Sequence, residues 1–134
     1  MTEDKTRTAT LSLKAAFEVE QVRREAARRA REDAERRQQE EDLARAEELE
    51  SALRADAAFL SDHALTLDRR RYTVSLDHAD FRIAAYFEAG RASVTSADKR
   101  TAHPGATAPR KQESVDTVPD ALRVMAQFLA DETN

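Results

Sequence analysis

The chain has no cysteine among its 134 residues. Disulfides, thiolate nucleophiles and cysteine-bound metals are thereby excluded, and the composition suits a reducing compartment. Long apolar runs are missing too. Nothing approaches the roughly 20 apolar residues of a membrane span. The opening MTEDKTRTAT lacks an apolar signal core, so a cytoplasmic location is the expectation. Glycine and proline are scarce, with two and three residues. No glycine-rich phosphate cradle can be built from them, and no HExxH or calcium-loop pattern occurs. Neither residue falls between 10 and 61, so nothing in that span punctuates a helix. Aromatics are few and form no recognisable set of stacking platforms for single-stranded nucleic acid.

What is present is charge, 36% of the chain. Much of it lies in residues 23–50, RREAARRAREDAERRQQEEDLARAEELE, where no apolar side chain larger than alanine occurs before Leu43. Residues 1–9 are polar and expected to be disordered. Residues 10–61 are rich in Ala, Arg, Glu, Gln and Leu, all good helix formers, and predict one long coiled-coil-like helix of about 75 Å. Thr10 or Ser12 can cap its start. Four acid-before-base pairs at i,i+4 support its middle, at about 0.2–0.5 kcal/mol each. They are Glu25 with Arg29, Glu32 with Arg36, Asp33 with Arg37 and Glu41 with Arg45. The two ends are greasier. Leu11, Leu13, Phe17, Val19 and Val22 mark the first, and Leu43, Ala46, Leu49, Leu53, Ala57 and Leu60 step along one face of the second. Heptads are not sustained between them, so a regular zipper is excluded.

The net charge of −4 conceals an asymmetry. Residues 23–37 hold seven arginines against four acids, a net of +3, and residues 40–50 hold six acids against Arg45, a net of −5. The crossover lies near Gln38 and Gln39. Two copies lying antiparallel about that point would oppose unlike charge, whereas parallel copies would oppose like charge. An antiparallel homodimer is the expected partnership, with Phe17, Val19, Val22, Leu43, Leu49, Leu53 and Leu60 as its apolar interface. The intramolecular alternatives are that both end clusters pack on the C-terminal module or that the helix folds back as a hairpin near Gln38, and a solvated helix face is the bland one.

The texture changes after Ser61. Residues 62–134 form a small C-terminal module of β-meander and helix. Four evenly spaced runs, 64–67, 71–76, 81–88 and 91–95, predict antiparallel strands, with period-two alternation over 72–76 and 81–88. Gly90 serves a tight turn between the last two. The alternative is a mainly α chain, with residues 77–89 helical. Residues 96–116 contain all three prolines but one and many small polar side chains, and predict a loop. Thr117, Pro119 and Asp120 then start a short helix whose apolar face carries Leu122, Met125, Ala126 and Leu129. The fold class expected is α+β.

No catalytic constellation emerges. His63, His78 and His103 are scattered, and His78 with Asp77 and Asp80 suits a turn better than a metal. Carboxylates among arginines on an exposed helix stay ionised, unlike the desolvated acids of an active site. The reading that follows is a non-catalytic dimeric scaffold or adaptor, without cofactor, presenting a protein-binding module. Its partner-binding residues are Arg69, Arg70, Arg71, Tyr72 and Tyr86. Phe81, Ile83 and Phe87 offer packing, and residues 91–95 offer an edge for strand addition. The alternative is a nucleic-acid-associated accessory protein, with Arg69, Arg70 and Arg71 as a phosphate-contacting knot. A membrane-surface role fits poorly, because the arginine-rich stretch offers lipid only alanine.

Overall fold

The computed structural model describes residues 12–100 and 111–133, and the chain divides into two compact units, Met1–Arg37 and Gln38–Asn134. Leu11, Thr10 and His103 lie outside the described residues. Helix α1 spans Leu13–Arg54. It starts where its cap stands: the Ser12 Oγ accepts the Ala15 amide at 3.1 Å. Helix persists through Gln38 and Gln39, so the hairpin alternative is not realised.

The expected helix does not reach Ser61 unbroken. It stops at Arg54, and a separate turn, α2 (Ala57–Asp62), follows after Ala55 and Asp56. The Asp56 amide bonds back to the Leu53 carbonyl at 3.0 Å, a tighter i−3 link that ends the α-ladder without glycine or proline. Leu53 before the break and Leu60 after it are both buried.

Five strands follow in the order β1-β2-β3-β4-β5, all antiparallel: β1 (Thr66–Arg70), β2 (Thr73–Asp77), β3 (Phe81–Glu88), β4 (Arg91–Asp98) and β5 (Lys111–Val115). The fold is α+β, and the 77–89 segment is strand rather than helix beyond its first turn. Period two decides it: Phe81, Ile83, Ala85 and Phe87 are buried while Arg82, Tyr86 and Glu88 are exposed. Two features of the 96–116 loop expectation change. Strand β4 runs on to Asp98, and residues 111–115 pair with β4, Val94 facing Glu113. Polar KQESV carries no apolar alternation to announce an edge strand, because only Val115 is buried.

Helix α3 (Val118–Thr133) begins on its expected cap, the Thr117 Oγ1 accepting the Asp120 amide at 3.1 Å. Its buried stripe is Val118, Ala121, Val124, Met125, Phe128 and Leu129. The stripe is rotated from the expected face, so Leu122 is half-buried and Ala126 exposed. Together with Ala46, Leu49, Leu53, Leu60 and Leu65 it covers the sheet face bearing Val74, Leu76, Ile83, Ala85, Phe87 and Val94. Most of the large apolar side chains described in Gln38–Asn134 belong to this one-sided core. The other sheet face stays polar and small, with Thr73, Ala84, Ser93 and Thr95 around an exposed Tyr86.

Candidate functional site

Within the second unit, the acidic half of α1 is attached to the sheet by a carboxylate. Asp42 is only 4% exposed. Its oxygens accept the amides of Ala89 at 2.9 Å and Gly90 at 3.0 Å, and the Gln38 Nε2 at 3.1 Å, with Arg45 Nη1 at 3.5 Å. Ala89 and Gly90 form the β3–β4 turn with φ of 53° and 82°. Two successive positive φ values are the type I′ geometry that suits the twist of a hairpin, and they point both amides outward together. Ala89 carries the steric cost of the left-handed region, and the buried anion helps hold it there. Nothing in the sequence separates Asp42 from the five other acids of residues 40–50. Its position between the buried Ala46 and the turn decides its role.

Glu50, two turns further on, does the same for β1. Arg69 Nε donates to Glu50 Oε1 at 2.6 Å, and Arg54 to its other oxygen at 2.6 Å. The two guanidiniums, Arg54 first, hold the Glu50 carboxyl below its usual range. Arg69 is therefore committed to the interior side of the sheet. Arg70 turns the opposite way and pairs with Asp68 at 3.3 Å. Arg71, at φ 57°, stacks its guanidinium 5.0 Å over the Tyr72 ring. Arg69 Nη1 also donates to the Arg71 carbonyl at 3.1 Å, and of the three arginines Arg70 and Arg71 are exposed while Arg69 is half-buried. Tyr86 lies two strands from β1, on the open face. Its phenol is raised above its usual range by the Glu88 charge and by burial.

Several expected contact residues are not available. Phe81, Ile83 and Phe87 are 2%, 0% and 1% exposed. Residues 91–95 belong to β4, paired on both sides, so the free edges are β1 and β5 instead. Leu49, Leu53 and Leu60 of the expected dimer interface are buried in their own module, and Leu43 is half-buried. Leu13, Phe17, Val19 and Val22 are 87%, 58%, 68% and 70% exposed. Of the expected i,i+4 pairs only Glu25 with Arg29 forms, at 3.7 Å. Arg36 takes Asp33 and Arg45 takes Asp42, both at i,i+3, a spacing that a helix brings as close as i,i+4.

His78 is a turn residue. Its Nδ1 accepts the Asp80 amide at 3.0 Å and its ring stacks on Phe81, 4.4 Å between centroids. The His63 ring lies against Phe59, 4.2 Å between centroids and tilted by 35°, and its Nδ1 donates to the Phe59 carbonyl at 3.0 Å. At the far side of the module, Arg100 bridges Asp98 at 3.0 Å and Glu132 at 2.6 Å, and the buried Ser96 Oγ reaches Glu132 at 3.4 Å. Among the described residues no three His, Asp or Glu side chains converge as a metal set, and no helix is long and apolar enough to cross a membrane.

The described residues include a concave apolar surface. A groove of about 300 Å³ runs between the end of α1, α2 and α3, walled by Leu53, Phe59, Leu60, Leu122, Met125 and Ala126, with Asp56 and His63 at its lip. Phe59 is 46% exposed there. The face read from the sequence of α3, Leu122, Met125, Ala126 and Leu129, is the face that lines this groove. Apolar spacing locates a greasy stripe but does not say whether the sheet or solvent faces it. Comparison with family models, curated proteins and solved structures finds no match.

Proposed function

We propose that the chain is a non-catalytic cytoplasmic adaptor whose receptor surface is the α1–α2–α3 groove. The observation that carries this reading is the exposure of Phe59 beside Leu122 and Ala126, in a module where Tyr86 is the only other exposed large apolar side chain among the described residues. Solvent-facing aromatics rimmed by polar groups mark interaction sites. At about 300 Å³ the groove is at the small end for a ligand pocket, and its helical walls suit one or two anchor side chains from a partner helix. A helix-in-groove mode also explains why α3 carries apolar residues on two adjacent faces, one for the sheet and one for the partner.

The test is a titration of isotope-labelled protein with a synthetic amphipathic helix bearing Leu and Phe four residues apart, followed by amide chemical shifts. Shifts concentrated at Phe59, Leu122, Ala126 and Ala130, abolished in Ala126→Glu, support the reading. Shifts centred on Tyr86 and Ser93, or none at all, overturn it. The nucleic-acid alternative predicts salt-sensitive duplex binding lost on replacing Arg70 and Arg71.

A further inference from the structure

Resting on that groove reading, we infer that the groove's occupant is the Leu13–Phe17 face of a second copy of this chain, each copy giving its helix to the other. Three observations converge on it. The first is surplus: Leu13 and Phe17 are 87% and 58% exposed, at the i,i+4 spacing of a helix anchor pair. The second is charge. Residues 12–37 hold eight bases against six acids, a net of +2, while residues 38–62, which supply the α1 and α2 walls, hold two bases against eight acids, a net of −6. Lys14 adjoins the anchor pair and Asp56 stands at the groove lip, and neither has an ionic partner among the described residues. Docking would bring them together. Glu40, Glu41 and Glu48 are likewise without ion pairs among the described residues, and so are Arg31 and Arg37 together with Glu18, Glu32 and Glu35, so the complementarity between copies lies in the net charges of the two stretches.

The third is helical phase. At about 100° per residue, Leu13 and Phe17 lie within about 40° of each other, and Val19 and Val22 centre on the opposite side, about 170° away. A groove that takes the first pair cannot take the second. The exchange is reciprocal and closes on a two-fold axis, whereas a one-way contact would propagate as a chain. It replaces the fully zipped antiparallel pair, because Leu49, Leu53 and Leu60 are already buried.

The experiment is sedimentation equilibrium of the full chain over a wide concentration series, with circular dichroism to confirm folding. Wild type should reach dimer mass. Phe17→Glu and Ala126→Glu should each weaken dimerisation on the order of 100-fold or more, since both contacts of the pair are lost. Val22→Glu should leave it within about threefold. An equimolar mixture of Phe17→Glu and Ala126→Glu should regain dimer, because one intact helix then meets one intact groove. A wild type that stays monomeric, a dimer indifferent to Ala126→Glu, or a mixture that stays monomeric overturns the exchange. Monomeric wild type whose groove still takes the synthetic helix separates the failure of this inference from the failure of the groove reading.

Discussion

Residues 12–37 and 38–54 belong to the same helical element and draw on the same few amino acids, yet they are held in different ways. In the first stretch every ion pair among the described residues is local: Glu20 takes Arg23 and Arg24, Glu25 takes Arg28 and Arg29, and Asp33 takes Arg36. In the second, Asp42 reaches the Ala89–Gly90 turn and Glu50 reaches Arg69. Their opposite net charges do not by themselves explain this. The difference is three apolar residues, Ala46, Leu49 and Leu53, whose three- and four-residue steps seat the helix on the sheet and bring its acids within reach of tertiary donors. Helical stability in the first stretch comes from propensity and weak surface pairs. In the second it comes from burial, and the charges there are selected by position.

The largest expected break of this contrast is Leu49→Ala. Leu49 is fully buried, so the substitution should cost about 2–5 kcal/mol of module stability in chemical denaturation. The matching change Val22→Ala, at 70% exposure, should move the same transition by less than about 0.5 kcal/mol. Equal effects at both positions would remove the distinction. Next comes Asp42→Ala, which strands the Ala89 and Gly90 amides and should cost about 1.5–3 kcal/mol. Its mark is local: hydrogen exchange at the β3–β4 turn should rise more than exchange in β1. Glu41→Ala, one residue away and exposed, should be near neutral.

How much of this was legible beforehand follows from the same physics. Alternation in β3 was readable because that strand has one wet face and one dry face; β2 alternates in residue type, although Ser75 is buried along with Val74 and Leu76. Strand β5 was not, since an edge strand of lysine, glutamine, glutamate and serine is held by backbone pairing with β4. Capping at Ser12 and Thr117 was readable because a cap is a local bond. The Asp42 clasp spans 47 and 48 residues, and no local pattern encodes it. The break at Ala55 and Asp56 carries no glycine or proline, and tertiary burial of Leu60 and Leu65 sets it. Of the groove, the apolar face of α3 and the presence of Phe59 were readable, but not that they meet.

A smaller effect concerns pH. Glu50 is held below the usual carboxylate range by Arg54 and Arg69, so its contribution is fully present above the unfolded value, about 4.3, and is lost as pH falls through the lower folded value. Glu50→Gln should therefore reduce stability at neutral pH and converge with wild type in acid. A difference that widens on acidification would mean that Glu50 is not the paired group.

The smallest effect sharpens the contrast from the other side. Glu25 joins Arg28 at 2.6 Å and Arg29 at 3.7 Å, all three side chains half exposed or more. Glu25→Gln should lower the helicity of residues 12–37 by only about 0.2–0.5 kcal/mol per pair, and added salt should erase the difference. The clasp at Asp42 should survive the same salt, because a buried carboxylate bonded to two amides is little screened. Salt thus separates two kinds of charge on one helix: the pairs that merely keep company on its surface and the anion that fastens it to a sheet.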